Sequence, residues 1–396
     1  MKRTLESLEG QPLEGLRALV RVDFNAPLKD GRVADAQRVE AALPTVRWLC
    51  GKGCRVVLLS HLGRPHGRRV EEYSLRPVVI ELERLLGHPV GFLTDPLADD
   101  ALRVTKRMKR GDVILVENTR FFAGEERNEA ELAASFARLG DFYVNDAFGT
   151  AHRAHASTEA VAHLLKPAVA GFLMERELTY LEQVMEEPER PFVAVLGGAK
   201  VSGKIEVIER LLATTDEILI GGAMACTFFL ALGLEVGGSL VEPEKVDLAT
   251  AVLERAGDRI VLPSTLVVAQ RIAADTPTRE VARDAIPEGW SVYDIGEATV
   301  ALFSRHIGKA ATVLWNGPLG VFETPPFDTG TMAVARALAG ATERGATTIV
   351  GGGDSAAAVA QAGLAGQMTH ISTGGGASLQ LLEGKELPGV AALDDL

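Results

Sequence analysis

Pro191-Phe192-Val193-Ala194-Val195-Leu196-Gly197-Gly198-Ala199-Lys200-Val201-Ser202-Gly203-Lys204 is the stretch on which the fold turns. Its apolar part shows no polar alternation, so it predicts a short strand covered on both faces, ended by a glycine pair. Similar runs recur at 16–23, 55–60, 112–117 and 141–146, and again at 217–220, 312–315 and 347–350. Helical stretches follow them, of which 38–49 and 246–256 are amphipathic examples. Buried strands alternating with such helices predict an α/β chain of two doubly wound, parallel-sheet (Rossmann-like) domains.

At 396 residues the chain exceeds what one hydrophobic core ordinarily organises, hence the expectation of two domains. Residues 172–186 have helical composition, and Pro188 and Pro191 in a charged cluster break that helix before the next strand. The expected layout is a first domain at 1–171, a bridging helix at 172–186 and a second domain from 187. A net charge of −12 argues against a general nucleic-acid or membrane-surface binder. An anion site must then be a local cluster of cations. No run approaches about 20 uninterrupted apolar residues, and the polar N-terminus shows no apolar signal core. Cys50, Cys54 and Cys226 form no metal-ligand spacing and suit a reducing compartment, so the expected location is cytoplasmic.

In open parallel sheets ligands bind beyond the carboxyl ends of the strands, so the residues there carry the functional reading. In the first half these ends offer Asp23-Phe24-Asn25, His61-Leu62-Gly63-Arg64, Arg120 and Arg153, while Arg38 opens the first helix. Arginine forks bind phosphate or carboxylate in bidentate fashion, and four of them in an acidic chain predict a small, multiply charged anion. His61, beside Arg64, reads as a hydrogen-bond donor to that anion. In the second half the strand ends are glycine-rich at 197–204, 221–223, 316–320, 351–355 and 373–376. Glycine admits close backbone approach to phosphate, and two of these loops open helices, which predicts a nucleotide.

Some nearby patterns are excluded. Residues 198–204 match G-x-x-x-x-G-K, but Ile205 stands where a P-loop needs a hydroxyl for Mg²⁺. His152-x-x-His155 lacks the glutamate of a zinc-protease motif, and no G-x-G-x-x-G turn of a dehydrogenase is present. Lys200 and Lys204 lie four apart; on a helical first turn they would share a face, where an anion would relieve their repulsion.

Taken in order, the segments 21–27, 60–65, 117–121, 145–157, 197–204, 315–323, 351–355 and 372–379 resemble phosphoglycerate kinase over essentially the whole chain. The resemblance implies 3-phosphoglycerate or 1,3-bisphosphoglycerate on the first domain, held by Asp23, Phe24, Asn25, Arg38, His61, Leu62, Gly63, Arg64, Arg120 and Arg153. It implies ADP or ATP on the second, approached by Lys200, Lys204, Asn316, Glu323, Gly352, Gly353 and Ser355, with Asp354 ligating Mg²⁺. Arg38, Lys200, Gly374 and Gly375 are the implied catalytic groups. The second domain would then span 187–375, with 376–396 returning to the first. Hinge closure before in-line transfer and a monomeric state are also implied. A catalytically silent relative would have lost charged site residues, and all are present. Departures from the family pattern are modest: Ala26, Ala36-Gln37, Ser264-Thr265 and Gln380 replace more usual residues, and none of them is a carried-over site residue.

Overall fold

A computed structural model describes residues 1–396. The chain condenses into two compact units, one of Met1–Thr179 with Glu386–Leu396, the other of Tyr180–Lys385.

The first unit is built on β1 (Arg17–Val22), β4 (Arg55–Leu59), β5 (Val90–Leu93), β6 (Val113–Val116), β7 (Phe142–Asp146) and β8 (Ala168–Ala170); β2 (Leu28–Lys29) and β3 (Arg32–Val33) form a separate small hairpin. The large sheet is parallel throughout, in the order β5-β6-β4-β1-β7-β8. Every residue of β1, β6 and β7 is buried, as their near-continuous apolar runs predict. Helices α1 (Gln37–Gly51), α2 (Arg76–Leu86), α3 (Ala101–Arg107), α4 (Ala130–Ala137) and α5 (Val161–Leu164) complete the body of the unit. Glu117, at the end of β6, starts α2: its carboxylate accepts the Leu75 N–H and the Ser74 hydroxyl, each at 2.9 Å. One core joins β1, β4 and β7 to α1 and α2 through Val20, Val22, Phe24, Val46, Leu58, Leu82 and Val144.

Asp146, at the end of β7, caps α6 (Phe172–Glu186), accepting the N–H groups of Leu173 and Met174 at 2.8 and 3.2 Å. Residue 171 must be glycine there, because a Cβ would lie 2.3 Å from the same carboxylate oxygen. The division between the units falls inside this helix, after Thr179.

In the second unit β9 (Phe192–Leu196), β10 (Glu217–Ile220), β11 (Ile260–Val261), β15 (Thr312–Asn316), β16 (Thr347–Gly351) and β17 (His370–Ile371) form another parallel sheet, ordered β11-β10-β9-β15-β16-β17. A three-stranded antiparallel sheet of β12 (Thr265–Ala269), β13 (Arg279–Ala282) and β14 (Ser291–Ile295) is added to it in sequence. The helices are α7 (Ile205–Thr214), α8 (Met224–Ala231), α9 (Val246–Ala256), α10 (Glu297–Lys309), α11 (Thr329–Glu343), α12 (Gly353–Gln361) and α13 (Gly375–Leu382). Trp315 and Phe303, both fully buried, centre its core. The returning segment, expected from residue 376, starts at Glu386 in this division and carries α14 (Pro388–Ala391). The reason is local: α13 packs on α7, and Lys385 pairs with Glu206 of that helix.

Both large sheets begin at a central strand and grow outward in both directions. Their topological switch points, where a crevice opens beyond the strand ends, therefore lie between β1 and β7 and between β9 and β15.

Candidate functional site

At the first switch point the chain gathers cations. Arg38, on the first turn of α1, donates through Nη1 to Asp23 Oδ2 at 2.6 Å, just beyond β1. Asn25 Oδ1 accepts the Gly63 N–H at 2.9 Å, and Arg120 Nη1 donates to the Gly63 carbonyl at 2.8 Å. The turn after β4 is thus held on both sides. Gly63 has φ +60°, and a Cβ there would lie 2.4 Å from the Tyr73 ring. Arg153 Nε sits 3.0 Å from His152 Nε2.

Beneath them lies a charge the strand pattern concealed. Arg21 is fully buried inside β1, with Nε donating to Ser157 Oγ at 2.8 Å and Nη2 3.2 Å from His61 Nδ1. Ser157 in turn donates its hydroxyl to Glu125 Oε1 at 2.5 Å and its N–H to Oε2 at 3.0 Å, so a fully buried carboxylate balances the guanidinium through a hydroxyl. Burial, then the charges of Arg21, Arg120 and Arg38, holds His61 well below its usual range. His155 is lowered to about 3, by burial first and then by Arg21, Arg120 and Arg153. Both imidazoles are therefore neutral near pH 7 and act as hydrogen-bonding groups.

Buried polar atoms in folded proteins are almost always paired, so exceptions mark places built for something else. Arg120 Nε, Thr119 Oγ1, His152 Nδ1 and His155 Nδ1 are all buried without a hydrogen bond; Arg120 Nε lies 3.3 Å from Glu126 Oε1, but without hydrogen-bond geometry. The guanidinium groups of Arg21, Arg38, Arg120 and Arg153, with an unpaired buried N–H at Arg120, suit a compact polyanion.

The second switch point has different chemistry. The loops after β9, β10 and β15 pack backbone on backbone: a Cβ on Gly197 would lie 2.1 Å from the Pro318 carbonyl, and one on Gly222 2.6 Å from the Gly198 nitrogen. Asn316, 2% exposed at the end of β15, lies against Gly351 and Gly352, whose added Cβ atoms would stand 3.2 and 3.3 Å from its Nδ2. Gly352 caps α12 at φ +91°, and Gly353 faces open space. Ser355, fully buried, accepts the Gly317 N–H at 2.7 Å and ties α12 to the β15 loop. Gly374 precedes α13 with its N–H donated to Ser372 Oγ at 3.2 Å. A Cβ on Gly375 would be 3.2 Å from the Gly353 nitrogen, so the N-termini of α12 and α13 converge. Two convergent helix N-termini among glycine loops offer unpaired N–H groups and positive dipole ends to phosphate.

Charged groups flank this surface. Asp354, exposed, lies in the first turn of α12, and Lys200 is exposed on the loop after β9. Burial lowers Lys204 to about 8, against the opposing pull of Asp354 and Glu383. Glu323 is exposed on the turn after β15. That turn is fastened by Thr331 Oγ1, which accepts the N–H groups of Leu319 and Gly320 at 3.1 Å each, and by Val321 N–H to the Tyr293 carbonyl at 2.9 Å. Asp294, unassigned from sequence, packs against Gly320 and accepts the Gly330 N–H at 2.7 Å; burial pushes its carboxyl up to about 7.

Most of the expected residues thus gather at the two switch points. Asp23, Asn25, Arg38, His61, Arg120 and Arg153 surround one; Lys200, Lys204, Asn316, Gly352, Gly353, Asp354, Ser355, Gly374 and Gly375 surround the other. Three details differ from expectation. Phe24 and Leu62 turn their side chains into the core, which leaves only their backbones for a ligand. Arg64 is exposed, whereas His61, three positions earlier on the same turn, is buried. Lys200 and Lys204 do not share a helical face: α7 starts at Ile205, because buried Val201 and the turn at Ser202–Lys204 keep the preceding loop irregular.

Comparison with known proteins bears on the family of the chain. The family model described as phosphoglycerate kinase matches residues 8–385. The phosphoglycerate kinase of Synechococcus elongatus is 54% identical, over 100% of this chain and 99% of that one. That of Chloroflexus aggregans is 56% identical over 96% of each. Among solved structures, phosphoglycerate kinase from Coxiella burnetii superposes with a TM-score of 0.88 at 40% identity, covering 97% of both chains. The enzyme from Pyrococcus horikoshii gives 0.84 at 32% identity, covering 99% of this chain and 98% of that one.

Proposed function

The chain belongs to the phosphoglycerate kinase family, and on that premise we propose how its two surfaces divide the reaction. It is a phosphotransferase of glycolysis and gluconeogenesis that uses a carboxyl group as acceptor. In our reading the first unit holds 3-phosphoglycerate, or the non-transferring end of 1,3-bisphosphoglycerate, while the second holds ADP or ATP. The observation that supports the first assignment is the cluster of guanidinium groups with unpaired buried nitrogens at Arg120, His152 and His155. Asp23 and Asn25 serve the ligand's hydroxyl and carboxyl end, and Arg38 stands nearest the transferring phosphoryl. Arg64, exposed, reaches the same phosphate-bearing ligand from outside.

In the ATP-consuming direction the nucleophile is a carboxylate, ionised at neutral pH, so no general base is needed. The site agrees: His155, lowered to about 3, is too weakly basic to take a proton. What remains is to orient the reactants and to neutralise charge on the equatorial oxygens. Arg38, Lys200 and the α13 N-terminus at Gly374 and Gly375 are the groups proposed for this. Lys204, Asn316, Gly352, Gly353 and Ser355 line the nucleotide phosphates, and Glu323 accepts from the ribose hydroxyls.

Asp354 is the carboxylate proposed to hold Mg²⁺. The residues fit: Mg²⁺ is commonly bound through one or two carboxylates plus substrate phosphates, and Asp354 is exposed beside the open Gly353 backbone. When bound, Mg²⁺ lowers the negative charge carried by the nucleotide phosphates.

The acyl phosphate and ATP both hydrolyse favourably, so water must be excluded during transfer; we assign this to closure of the loaded units about α6. A cytoplasmic monomer is the accompanying proposal. Burial pushes the free thiols of Cys50, Cys54 and Cys226 each up to about 11, which suits a compartment where they stay reduced. No helix is long and apolar enough to cross a membrane. The test is a coupled assay of ATP turnover: it should require both 3-phosphoglycerate and Mg²⁺, and Arg38→Ala should lower kcat at least ~100-fold. ATP hydrolysis without 3-phosphoglycerate, or an Arg38→Ala enzyme of normal kcat, would count against the division.

A further inference from the structure

Lys200 hangs on a loop whose two supports both trace to α8. On the first side the Gly198 carbonyl accepts the Met224 N–H, at the start of α8, at 3.0 Å. On the other side Val201 is fully buried, and Ser202 is held by a residue 40 positions later in the chain. That residue is Glu242. Its Oε2 accepts the Ser202 N–H at 2.9 Å and its Oε1 accepts the Ser202 hydroxyl at 2.6 Å.

The clamp is itself well seated. Glu242 is 8% exposed, and its N–H donates to Thr227 Oγ1 at 3.2 Å, one turn along α8 from Met224. Pro243 follows immediately and starts a 3₁₀ turn, which stiffens the backbone on that side. Burial alone would raise the Glu242 carboxyl, yet the donors from Ser202 and Val201 and the charge of Lys200 hold it below its ordinary range. It is therefore ionised, and its bonds to Ser202 are charge-assisted, roughly twice as strong as neutral ones. Lys200 itself, between the two supports, is exposed.

We propose that Glu242 is a positioning residue for phosphoryl transfer: it contacts neither ligand, and by clamping Ser202 it sets where the Lys200 ammonium is presented. The proposal rests on the reading of Lys200 as a group facing the transferring phosphoryl. Misplacing such a group by about 1 Å costs on the order of 100-fold in rate, because the charge must meet the transition state and not merely the ligand. Of the groups read as lining the nucleotide, Asn316, Gly352, Gly353 and Ser355 lie on other loops, and Lys204 is anchored by its own N–H to the Val201 carbonyl and by its carbonyl to the Ile208 N–H of α7, each at 2.8 Å, so ground-state binding depends on the Glu242 clamp far less than Lys200 placement does.

The experiment is a double-mutant cycle on the full-length enzyme with Glu242→Gln, Lys200→Ala and the double variant, read as kcat and as KM for ATP and for 3-phosphoglycerate. Glutamine keeps the volume but has one acceptor oxygen for the two Ser202 donors. Glu242→Gln should lower kcat by about 10- to 100-fold with both KM values within about twofold of the parent. In the Lys200→Ala background it should cause almost no further loss, since a residue acting through Lys200 has nothing left to position. Independent, multiplying losses would overturn the Glu242 role while leaving Lys200 in place. A Lys200→Ala enzyme with normal kcat would overturn the Lys200 reading and this proposal with it. Should Glu242→Gln fold poorly, Ser202→Ala carries the same cycle: it removes the hydroxyl arm alone, so a smaller kcat loss that also vanishes without Lys200 is expected, and one that persists there refutes the clamp.

Discussion

Lowering the pH from 7 to 5 should destabilise this protein through His155, and phosphoglycerate should restore part of what is lost. His155 is 6% exposed, and burial with Arg21, Arg120, Arg153 and His152 around it holds its folded-state pKa at about 3. In the unfolded chain the same imidazole titrates near ~6.5. Because the folded value is the lower one, the unfolded chain takes up a proton first as the pH falls. The stability contribution is whole above ~6.5 and is lost progressively toward ~3. At pH 5 the unfolded state gains a factor of about 30, or roughly 2 kcal/mol, as an upper bound reduced by whatever solvent screens the ring. His61, held well below its usual range, adds a loss of the same sign. Denaturant unfolding at pH 7, 6 and 5 should therefore show a shallower loss for His155→Gln than for the parent. An anion seated among these guanidinium groups favours the imidazolium, so saturating 3-phosphoglycerate should flatten the parent curve and leave the variant nearly unchanged. Parallel curves for parent and variant, with and without the ligand, would refute the reasoning.

Arg120→Ala should raise the Kd for 3-phosphoglycerate by at least tenfold (about 1.4 kcal/mol) while ADP affinity measured by calorimetry stays put; equal losses for both ligands would contradict the division of sites. Gly197→Ala should do the reverse, since its Cβ would stand 2.1 Å from the Pro318 carbonyl and force the glycine loops apart. Unaltered ADP binding in that variant would show the close backbone packing to be dispensable. Glu117→Ala strands three donors, the Ser74 hydroxyl and the N–H groups of Leu75 and Asn118. A stability loss of about 3 kcal/mol or more is expected by chemical denaturation, and a loss under about 1 kcal/mol would mean that water replaces the carboxylate.

The central strands were legible because each is a near-continuous apolar run, and such runs form mainly where both faces are covered. β1, β4, β6, β7, β9, β10, β15 and β16 all fall where those runs lie. The antiparallel β12, β13 and β14 were not foreseen, for the converse reason: Arg279–Ala282 is largely exposed, and its neighbours bury only part of their length. Edge strands such as Ile260–Val261 and His370–Ile371 are two residues long and leave almost no pattern. At the sites, residues beyond strand ends could be named because a sheet's geometry points there. Arg21 could not be assigned a role, since it sits within the strand and its partners Ser157 and Glu125 come from more than 100 positions away. Glu242 was hidden in the same way: nothing local distinguishes it from a surface glutamate, and only the folded chain brings it under Ser202. The shared face expected for Lys200 and Lys204 failed because helical spacing was assumed before a helix had begun.

The closing segment of the first unit has a consequence for biosynthesis. Asp394 accepts the Arg3 N–H on its carbonyl and the Ala168 N–H on its carboxylate at 2.8 and 2.9 Å, and the Asn145 amide donates to the Gly389 carbonyl at 3.0 Å. These residues leave the ribosome only after all of Tyr180–Lys385 has been translated. Until then the β8 edge is held only by the N-terminal residues, through the Ala170 N–H to the Arg3 carbonyl at 2.8 Å, while the later-made unit already has every residue it needs. The unit begun first is thus the one whose last residues are made last.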